Sequence, residues 1–228
     1  MRNISFGLTN GKLSDYWLIA ILLQLITSST LFASANPQIS AGVYHSLALK
    51  SDSTVWAWGN NSDGQLGDRE TINRRIPVEV LGLKDVIAIA GENSNSLALK
   101  LDGTVWVWGN NSDGQLGDGT TMKKYFPVQV HGLKDVTAVA GGNSHSIALE
   151  SNGTVWTWGN NNNGQLGDGT NTNRNIPARV KTLKSIIAIA GGGFHSLALK
   201  SNGTVWACGY NNEGTLGNGT NVNRRTHV

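Results

Sequence analysis

The chain has 228 residues, of which 39% are hydrophobic and 14% are charged, and its formal net charge is +3. This charge is too small and too dispersed for a nucleic-acid-binding surface, which needs a clustered basic face, so no nucleic acid is expected as a partner. The single cysteine, Cys208, excludes an internal disulfide and a thiolate metal cluster.

The first 35 residues have the parts of a secretory signal peptide. Basic residues precede an apolar run over residues 16–26, and a small-residue segment ends at Ala35. We expect an N-terminal signal helix, residues 1–35, that is cleaved after Ala35 and directs the chain to the extracellular or periplasmic space. The alternative is an uncleaved membrane anchor over residues 16–32, because a membrane span needs about 20 apolar residues.

Residues 36–228 contain four tandem copies of a fifty-residue unit, and the last copy is expected to be incomplete. A tryptophan pair marks each of the first three copies, and the fourth has one tryptophan and a cysteine in its place: Trp56 and Trp58, Trp106 and Trp108, Trp156 and Trp158, then Trp206 with Cys208. A constant period of this length predicts a solenoid, propeller or array whose units pack against their neighbours. At a tryptophan position, Cys208 is predicted to be a buried packing residue beside a cavity and not a reactive thiol.

Each unit is predicted to form four antiparallel strands, which in the second copy cover residues 85–90, 96–100, 104–108 and 127–130. Asp102 and Gly103 predict a type I′ turn between the second and third strands. In the first copy Ser53 replaces the glycine, so a strained turn or another turn type is expected there. The fourth strand begins with proline, which suits a sheet edge. Four such strands are the content of one propeller blade.

The alternation of side chains predicts how the blades pack. On the third strand the two tryptophans share one face, and Val55 and Ala57 lie on the other. On the second strand Leu47 and Leu49 alternate with small residues. Each blade is therefore expected to have a bulky face and a small face, and the bulky face of one blade is expected to fill the space beside the small face of the next.

One set of residues in the third copy carries a resemblance to a known family: Gly142, His145, Ser146, Ile147, Ala148, Leu149, Gly153, Thr154, Val155, Trp156, Trp158, Gly159, Asn161, Gly164, Gln165, Leu166 and Gly167. The unit resembles the repeat of the regulator of chromosome condensation family, and the resemblance extends over residues 39–228. It implies an all-β propeller, which has seven blades in the family and about four here.

Four blades of a seven-bladed design would leave an open arc. We therefore expect a truncated gene product, a piece of a longer protein, or an arc completed by self-association through its terminal blades. The chain is expected to end before the fourth strand of its last blade is made. A bare bulky face on that blade, with Leu197, Leu199 and Trp206, would be an apolar patch of the kind that marks an interface.

Histidine and serine are adjacent at the start of the second strand, at His45, His145 and His195, whereas Asn95 holds the place in the second copy. Adjacent strand residues face opposite ways, so a catalytic pair is not expected, and the histidines are predicted to bond to nearby backbone. The loop around Gly64 lacks the first carboxylate of a calcium-binding EF-hand. No catalytic residue, cofactor site or metal site is expected.

Candidate binding residues lie in the turn before the second strand, where the copies differ: Tyr44, Asn93, Asn143 and Phe194. Equivalent loops of a radial repeat emerge on one rim, and exposed aromatic side chains suit a protein-binding surface. Tolerated loop variation is the alternative. The chain is thus expected to be a secreted, non-enzymatic, protein-binding propeller fragment, and it looks more like the secreted bacterial members of the family, a superfamily that includes beta-lactamase inhibitor proteins.

Two other functions remain open. The resemblance to the founding member implies a guanine-nucleotide exchange factor-like regulator of a small GTPase, which would be nuclear or cytosolic, with seven blades and a basic tail. The other alternative is a structural surface array or a gene remnant. The partner is expected to be another protein, and a membrane only if the leader is uncleaved.

Overall fold

The computed structural model describes residues 35–228, and this part of the chain consists of β-strands, turns and loops. The strands are β1 (Gln38–Ala41), β2 (His45–Leu49), β3 (Val55–Gly59), β4 (Arg74–Glu79), β5 (Val86–Gly91), β6 (Asn95–Lys100), β7 (Val105–Gly109), β8 (Lys124–Gln129), β9 (Val136–Gly141), β10 (His145–Glu150), β11 (Val155–Gly159), β12 (Arg174–Arg179), β13 (Ile186–Gly191), β14 (His195–Lys200) and β15 (Val205–Gly209). The predicted all-β propeller fold is confirmed.

The strands form four antiparallel sheets, each in simple sequence order. Blade 1 contains β1–β4, blade 2 β5–β8, blade 3 β9–β12 and blade 4 β13–β15. The first strands of successive blades contact one another and are therefore the innermost strands. In blades 1 to 3 the fourth strand is the outermost, because it pairs only with the third.

Blade 4 also has an outer segment beyond β15. Arg224 bridges to Gly209, and the backbone groups of Val228 and Ala207 exchange hydrogen bonds of 2.9 and 3.0 Å. Residues 224–228 thus add an outer pairing to β15, while the sheet of blade 4 itself has three strands and no fourth.

The hairpin between the second and third strands has three loop residues and not two. Lys100 N donates to Thr104 O over 2.9 Å, and in this loop only Gly103 has a positive φ, of 77°. The predicted type I′ turn, which needs positive φ at two residues, was therefore wrong. In blade 1 Ser53 adopts the same left-handed conformation with a φ of 65°, which is strained for a residue with a side chain.

This turn decides which side chains share a face of the blade. Leu97 pairs with Val107, whereas Ala98 pairs with Trp106. Each blade therefore has a leucine face, with leucine, isoleucine, valine, alanine or threonine from the second and third strands, and a tryptophan face, with the two tryptophan positions and small residues. The prediction that leucine and tryptophan form one bulky face was wrong, and in blade 4 Leu197 and Trp206 lie on opposite sides.

Three hydrophobic clusters fill the blade boundaries. In each, the leucine face of one blade packs on the tryptophan face of the next, as Leu47 and Leu49 do against Ala98, Trp106 and Trp108. The boundaries between blades 2 and 3 and between blades 3 and 4 are built in the same way, although the latter has one tryptophan, Trp206, instead of two. Bulky side chains thus interlock with small ones across each boundary, as close packing requires.

The outer strand begins three residues before the proline with which it was predicted to start. Pro77 lies inside β4, where the pairing with β3 shifts register between Ala57 and Gly59. A missing N–H is tolerated at such an irregularity on an edge strand.

The predicted leader lies outside the described residues except for Ala35, which is buried against the first cluster. Among residues 35–228 no helix is long and apolar enough to cross a membrane.

Candidate functional site

The loops between the first and second strands of each blade lie at one edge of the blades. We call these loops, residues 42–44, 92–94, 142–144 and 192–194, the inner rim. They surround a depression of about 290 Å³, which is lined by residues 41–43, 91–93, 141–143 and 191–193. The innermost strands can converge here because β5, β9 and β13 end in glycine, while β1 ends in the small Ala41. A Cβ atom on Gly91, for example, would lie 2.7 Å from the backbone nitrogen of Gly42.

The predicted binding residues occupy two different parts of the inner rim. Asn93 and Asn143 line the depression, and Asn143 N donates to Gly193 O over 3.0 Å. Tyr44 and Phe194 stand outside it, on the two terminal blades, and are 68% and 47% exposed. The structure therefore brings the two asparagines together and leaves the aromatic rings at opposite ends of the inner rim.

A second aromatic residue accompanies Phe194. The ring of Tyr210 packs edge-on against Phe194, with centroids 6.4 Å apart, and Tyr210 N donates to Phe194 O over 2.9 Å. Tyr210 was not predicted from the sequence, although it replaces an asparagine of the other copies and so stands out in the aligned repeats.

Beneath the inner rim, histidine and serine from successive blades form hydrogen bonds. His45 Nε2 lies 2.8 Å from Ser96 Oγ, which donates to Gln65 O over 2.9 Å. His145 and Ser196 repeat the arrangement at the boundary between blades 3 and 4, at 2.9 Å. Because the serine hydroxyl donates to the glutamine carbonyl, the histidine must donate through Nε2–H.

The histidines therefore connect blades, and the prediction that they bond to nearby backbone was wrong. Burial lowers the pKa of His45 to about 4, and it lowers that of His145 to about 4 with a smaller effect from the charge of His195. At neutral pH these rings are uncharged donors. Ser96 and Ser196 are buried, so a substrate cannot reach them and the pairs are structural.

Glu92 takes the place of this histidine at the boundary between blades 2 and 3. Its carboxyl group lies 2.9 Å from Ser146 Oγ, which is also 2.9 Å from Gln115 O. Burial raises the pKa of Glu92 well above its usual range. A hydroxyl has one hydrogen, so a neutral Glu92 that donates to Ser146 allows Ser146 to donate to Gln115 O.

Asn95 makes room for this substitution. In the other blades a histidine ring lies against a glycine at the position of Glu92, and any side chain there would overlap the ring. In blade 2 the shorter Asn95 leaves that space to Glu92 and donates to its second carboxyl oxygen. Glu92 was not predicted from the sequence. The signal that could have found it is the paired change from glycine and histidine to glutamate and asparagine within one repeat.

The polar loop after the third strand positions the glutamine carbonyl. In blade 1 Asn61 is fully buried; its side-chain oxygen accepts from Leu66 N over 3.0 Å, and its amide donates to Asp68 over 2.9 Å. Asp68 also accepts from Arg74 over 2.7 Å. The asparagine and aspartate side chains thus hold their own loop by hydrogen bonds to its backbone and to each other. Within residues 35–228 no group of three metal-binding side chains is found.

The sequence model of the RCC1-like domain matches residues 24–228. The chain belongs to the RCC1-like domain family. Among solved structures, human WBSCR16 is similar to this RCC1-like chain with a TM-score of 0.77 and 26% identity, over 85% of this chain and 52% of that one. Prp20p from Saccharomyces cerevisiae gives a TM-score of 0.73 and 25% identity, over 87% of this chain and 51% of Prp20p.

Curated relatives are similar over shorter stretches. The RCC1 domain-containing protein RUG3, mitochondrial, from Arabidopsis thaliana is 40% identical over 60 residues, which are 25% of this chain and 14% of RUG3. The probable E3 ubiquitin-protein ligase HERC6 from Homo sapiens is 44% identical over 62 residues, or 25% of this chain and 6% of HERC6. The chain spans about half the length of the solved RCC1-like structures and a smaller part of these relatives.

Proposed function

We propose that this RCC1-like chain is a non-enzymatic module that binds another protein through its inner rim. The observation that carries the proposal is the exposure of two aromatic rings, Tyr44 and Phe194, on either side of a polar depression. Aromatic side chains supply much of the binding energy at protein interfaces, and a polar surround shields them from water. Asn93 and Asn143 offer amide donors and acceptors between the rings.

The chemistry beneath the inner rim supports binding over catalysis. The histidine and serine side chains that resemble an acid–base pair are buried and already paired, and the lowered histidine pKa values keep the rings neutral. Nucleophilic catalysis needs a hydroxyl that a substrate can reach. The inner rim offers a partner its shape, the exposed surface of its aromatic rings and the side-chain amide groups of its asparagines.

Site-specific substitution tests the binding surface. Proteins cross-linked to the full chain would be identified by mass spectrometry, and their affinities would be measured for Phe194→Ser and Tyr44→Ser. Phe126→Ser is the matched control, because Phe126 is also 47% exposed but lies on the outer strand β8. We expect each inner-rim substitution to weaken binding about tenfold or more, and the control to leave it unchanged. A partner that is lost only with Phe126→Ser would refute the proposal.

We further propose that the protein is exported. The order of basic residues, apolar run and small-residue segment before Asn36 supports a cleaved leader. N-terminal sequencing of the protein from the medium or periplasm is expected to begin at Asn36. Recovery in a membrane fraction with residues 16–32 intact would favour the anchor, and a cytosolic chain that retains its leader would refute export.

A second candidate function follows from one structural similarity. Prp20p, of which this chain covers 51%, has been studied for its binding to Gsp1p and histones. Exchange activity on a small GTPase is therefore the alternative, and it is testable as release of a fluorescent guanine nucleotide from Gsp1p. The inner-rim proposal predicts no acceleration. An acceleration of about tenfold or more would favour the exchange function instead.

A further inference from the structure

The two terminal blades present the two halves of an interface that the molecule already contains three times. At every internal boundary a leucine face meets a tryptophan face. Within the described residues, the tryptophan face of blade 1 and the leucine face of blade 4 have no neighbouring blade. The two open faces are therefore complementary to each other.

Side-chain exposure shows how open these faces are. Ile39, on the tryptophan face of blade 1, is 88% exposed, whereas the equivalent Ile89 in blade 2 is 8% exposed. On the leucine face of blade 4, Val205 is 62% exposed, whereas its equivalents Val55 and Val105 are at most 1% exposed. The same positions are thus core residues at internal boundaries and surface residues at the ends.

The open leucine face includes an unfilled position for an indole ring. Gly67 and Gly117 lie against the next blade's tryptophan, and a Cβ on either would come within 2.9 Å of the Nε1 atom of Trp108 or Trp158. Gly217 has the same left-handed conformation, with a φ of 65°, but a Cβ there would have no atom of the chain within 4 Å. Blade 1 has the side chain that matches this position. The indole ring of Trp58 is only half-buried and lies beside a groove of about 320 Å³.

The hydrogen-bonding groups at the two ends are also complementary. Trp108 Nε1 donates to Gln65 O and Trp158 Nε1 to Gln115 O, both over 2.8 Å. By the fifty-residue offset, the equivalent donor at the open end is Trp58 and the equivalent acceptor is the carbonyl of Thr215. The hydrogen bond between histidine and serine that links successive blades also has one partner at each open end. These partners are His195 on blade 4 and Ser46 on blade 1.

We propose that a second copy of this chain covers these faces head to tail, with the tryptophan face of one copy on the leucine face of the other. Trp58 of one copy would enter the position beside Gly217 of the other and donate to the Thr215 carbonyl. The contact between the two copies would have the same arrangement of a leucine face on a tryptophan face as the internal boundaries. This inference goes beyond the proposed function of the inner rim and does not depend on it.

Two copies joined at both ends would give eight blades, which lies within the four to eight blades that propellers contain. A head-to-tail contact forms a ring when its rotation closes and a filament when it does not. We expect the closed dimer, because closure covers both apolar faces of each copy.

Light scattering coupled to size exclusion tests the proposal on the full chain. The expected mass is twice that of one chain, which is 24.2 kDa with residues 1–35 included. Ile39→Lys and Val205→Lys each place a charge on one end face, and each is expected to weaken association about 100-fold, because an unpaired ammonium in an apolar contact is costly. Ile76→Lys is the control, since Ile76 is 72% exposed on the outer strand β4. Thermal unfolding would confirm that all three variants are folded.

Mixing the two end variants tests the direction of the contact. Ile39→Lys retains its leucine face and Val205→Lys retains its tryptophan face, so a mixture is expected to form a heterodimer that neither variant forms with itself. A larger assembly that both end variants abolish would support the head-to-tail contact in its open form. A monomeric chain would overturn the proposal, as would association that neither lysine weakens or a mixture that stays monomeric.

Discussion

The Nε2 atom of His227 lies 3.5 Å from the Sγ atom of Cys208, at the boundary between blades 3 and 4. The other copies carry tryptophan at the position of Cys208 and proline at that of His227. Both side chains are buried against Gly167, where the indole ring lies in the other blades. The imidazole therefore occupies space that the indole ring fills at the other boundaries.

Substitutions at Cys208 and His227 should compensate for each other when they are made together. Cys208→Trp alone would place an indole where His227 already lies, and we expect a loss of about 1–3 kcal/mol, the usual cost of overpacking. Cys208→Trp with His227→Pro restores the residues of the other blades and is expected to recover most of that loss. Urea unfolding of both single variants and the double variant measures the coupling. Strictly additive effects would show that the two side chains do not share this space.

Glu92 and Asn95 should behave as a second coupled pair. Asn95→His alone would direct an imidazole into the Glu92 carboxyl group, and we expect about 1–3 kcal/mol of destabilisation. Adding Glu92→Gly recreates the glycine and histidine of the other blades, so the new ring could donate to Ser146 and stability should recover. Thermal unfolding of the single and double variants decides. A double variant that is less stable than Asn95→His would contradict the conclusion that Glu92 and Asn95 together replace the glycine and histidine of the other blades.

The buried carboxyl group should make the protein sensitive to alkaline conditions. The folded pKa of Glu92 is raised, so its contribution is fully present below about pH 4.5, the usual carboxyl pKa, and is lost as the pH rises through the folded value. Glu92→Gln keeps a neutral donor for Ser146, and its stability relative to the parent chain should therefore increase with pH. Urea midpoints at pH 5 and pH 9 measure this difference. Glu79→Gln, on the exposed outer strand, serves as the control.

The buried histidines should make the protein less stable under acidic conditions. Burial lowers the folded pKa of His45, His145 and His227 from 6.5 to about 4, so their contribution is complete above pH 6.5 and is lost as the pH falls toward 4. Each contributes at most about 3 kcal/mol, which corresponds to the difference in pKa. Urea unfolding between pH 7 and pH 4.5 should show falling stability. His145→Asn should reduce the slope, and a substitution of the exposed His131 should not; equal slopes in all three proteins would refute the assignment.

The period and the alternation of side chains were sufficient to predict the blades, but not the pairing between their strands. A two-residue turn at Asp102 and Gly103 would pair Leu99 with Trp106 and place them on one face. The three-residue loop pairs Leu99 with Val105 instead. A slip of one residue exchanges the two faces of a strand, and one error in turn type therefore produced the wrong faces for every blade.

The contacts of the histidines could not be predicted from a single repeat. His45 bonds to Ser96, 51 residues later, and this contact exists only once two blades are stacked. Strand alternation correctly separated His45 from the adjacent Ser46. It could not supply a partner from the next blade, although the constant offset between histidine and serine in the copies would have suggested one. The inner-rim residues Tyr44 and Phe194 remain predictions as binding residues.

The glutamine carbonyls always accept hydrogen bonds from the blade that follows them in the chain: Gln65 O accepts from Ser96 and Trp108, and Gln115 O from Ser146 and Trp158. During synthesis, each unit therefore leaves the ribosome with an acceptor whose donors have yet to be translated. We expect assembly to proceed from the N-terminus, with every newly made unit completing the one before it.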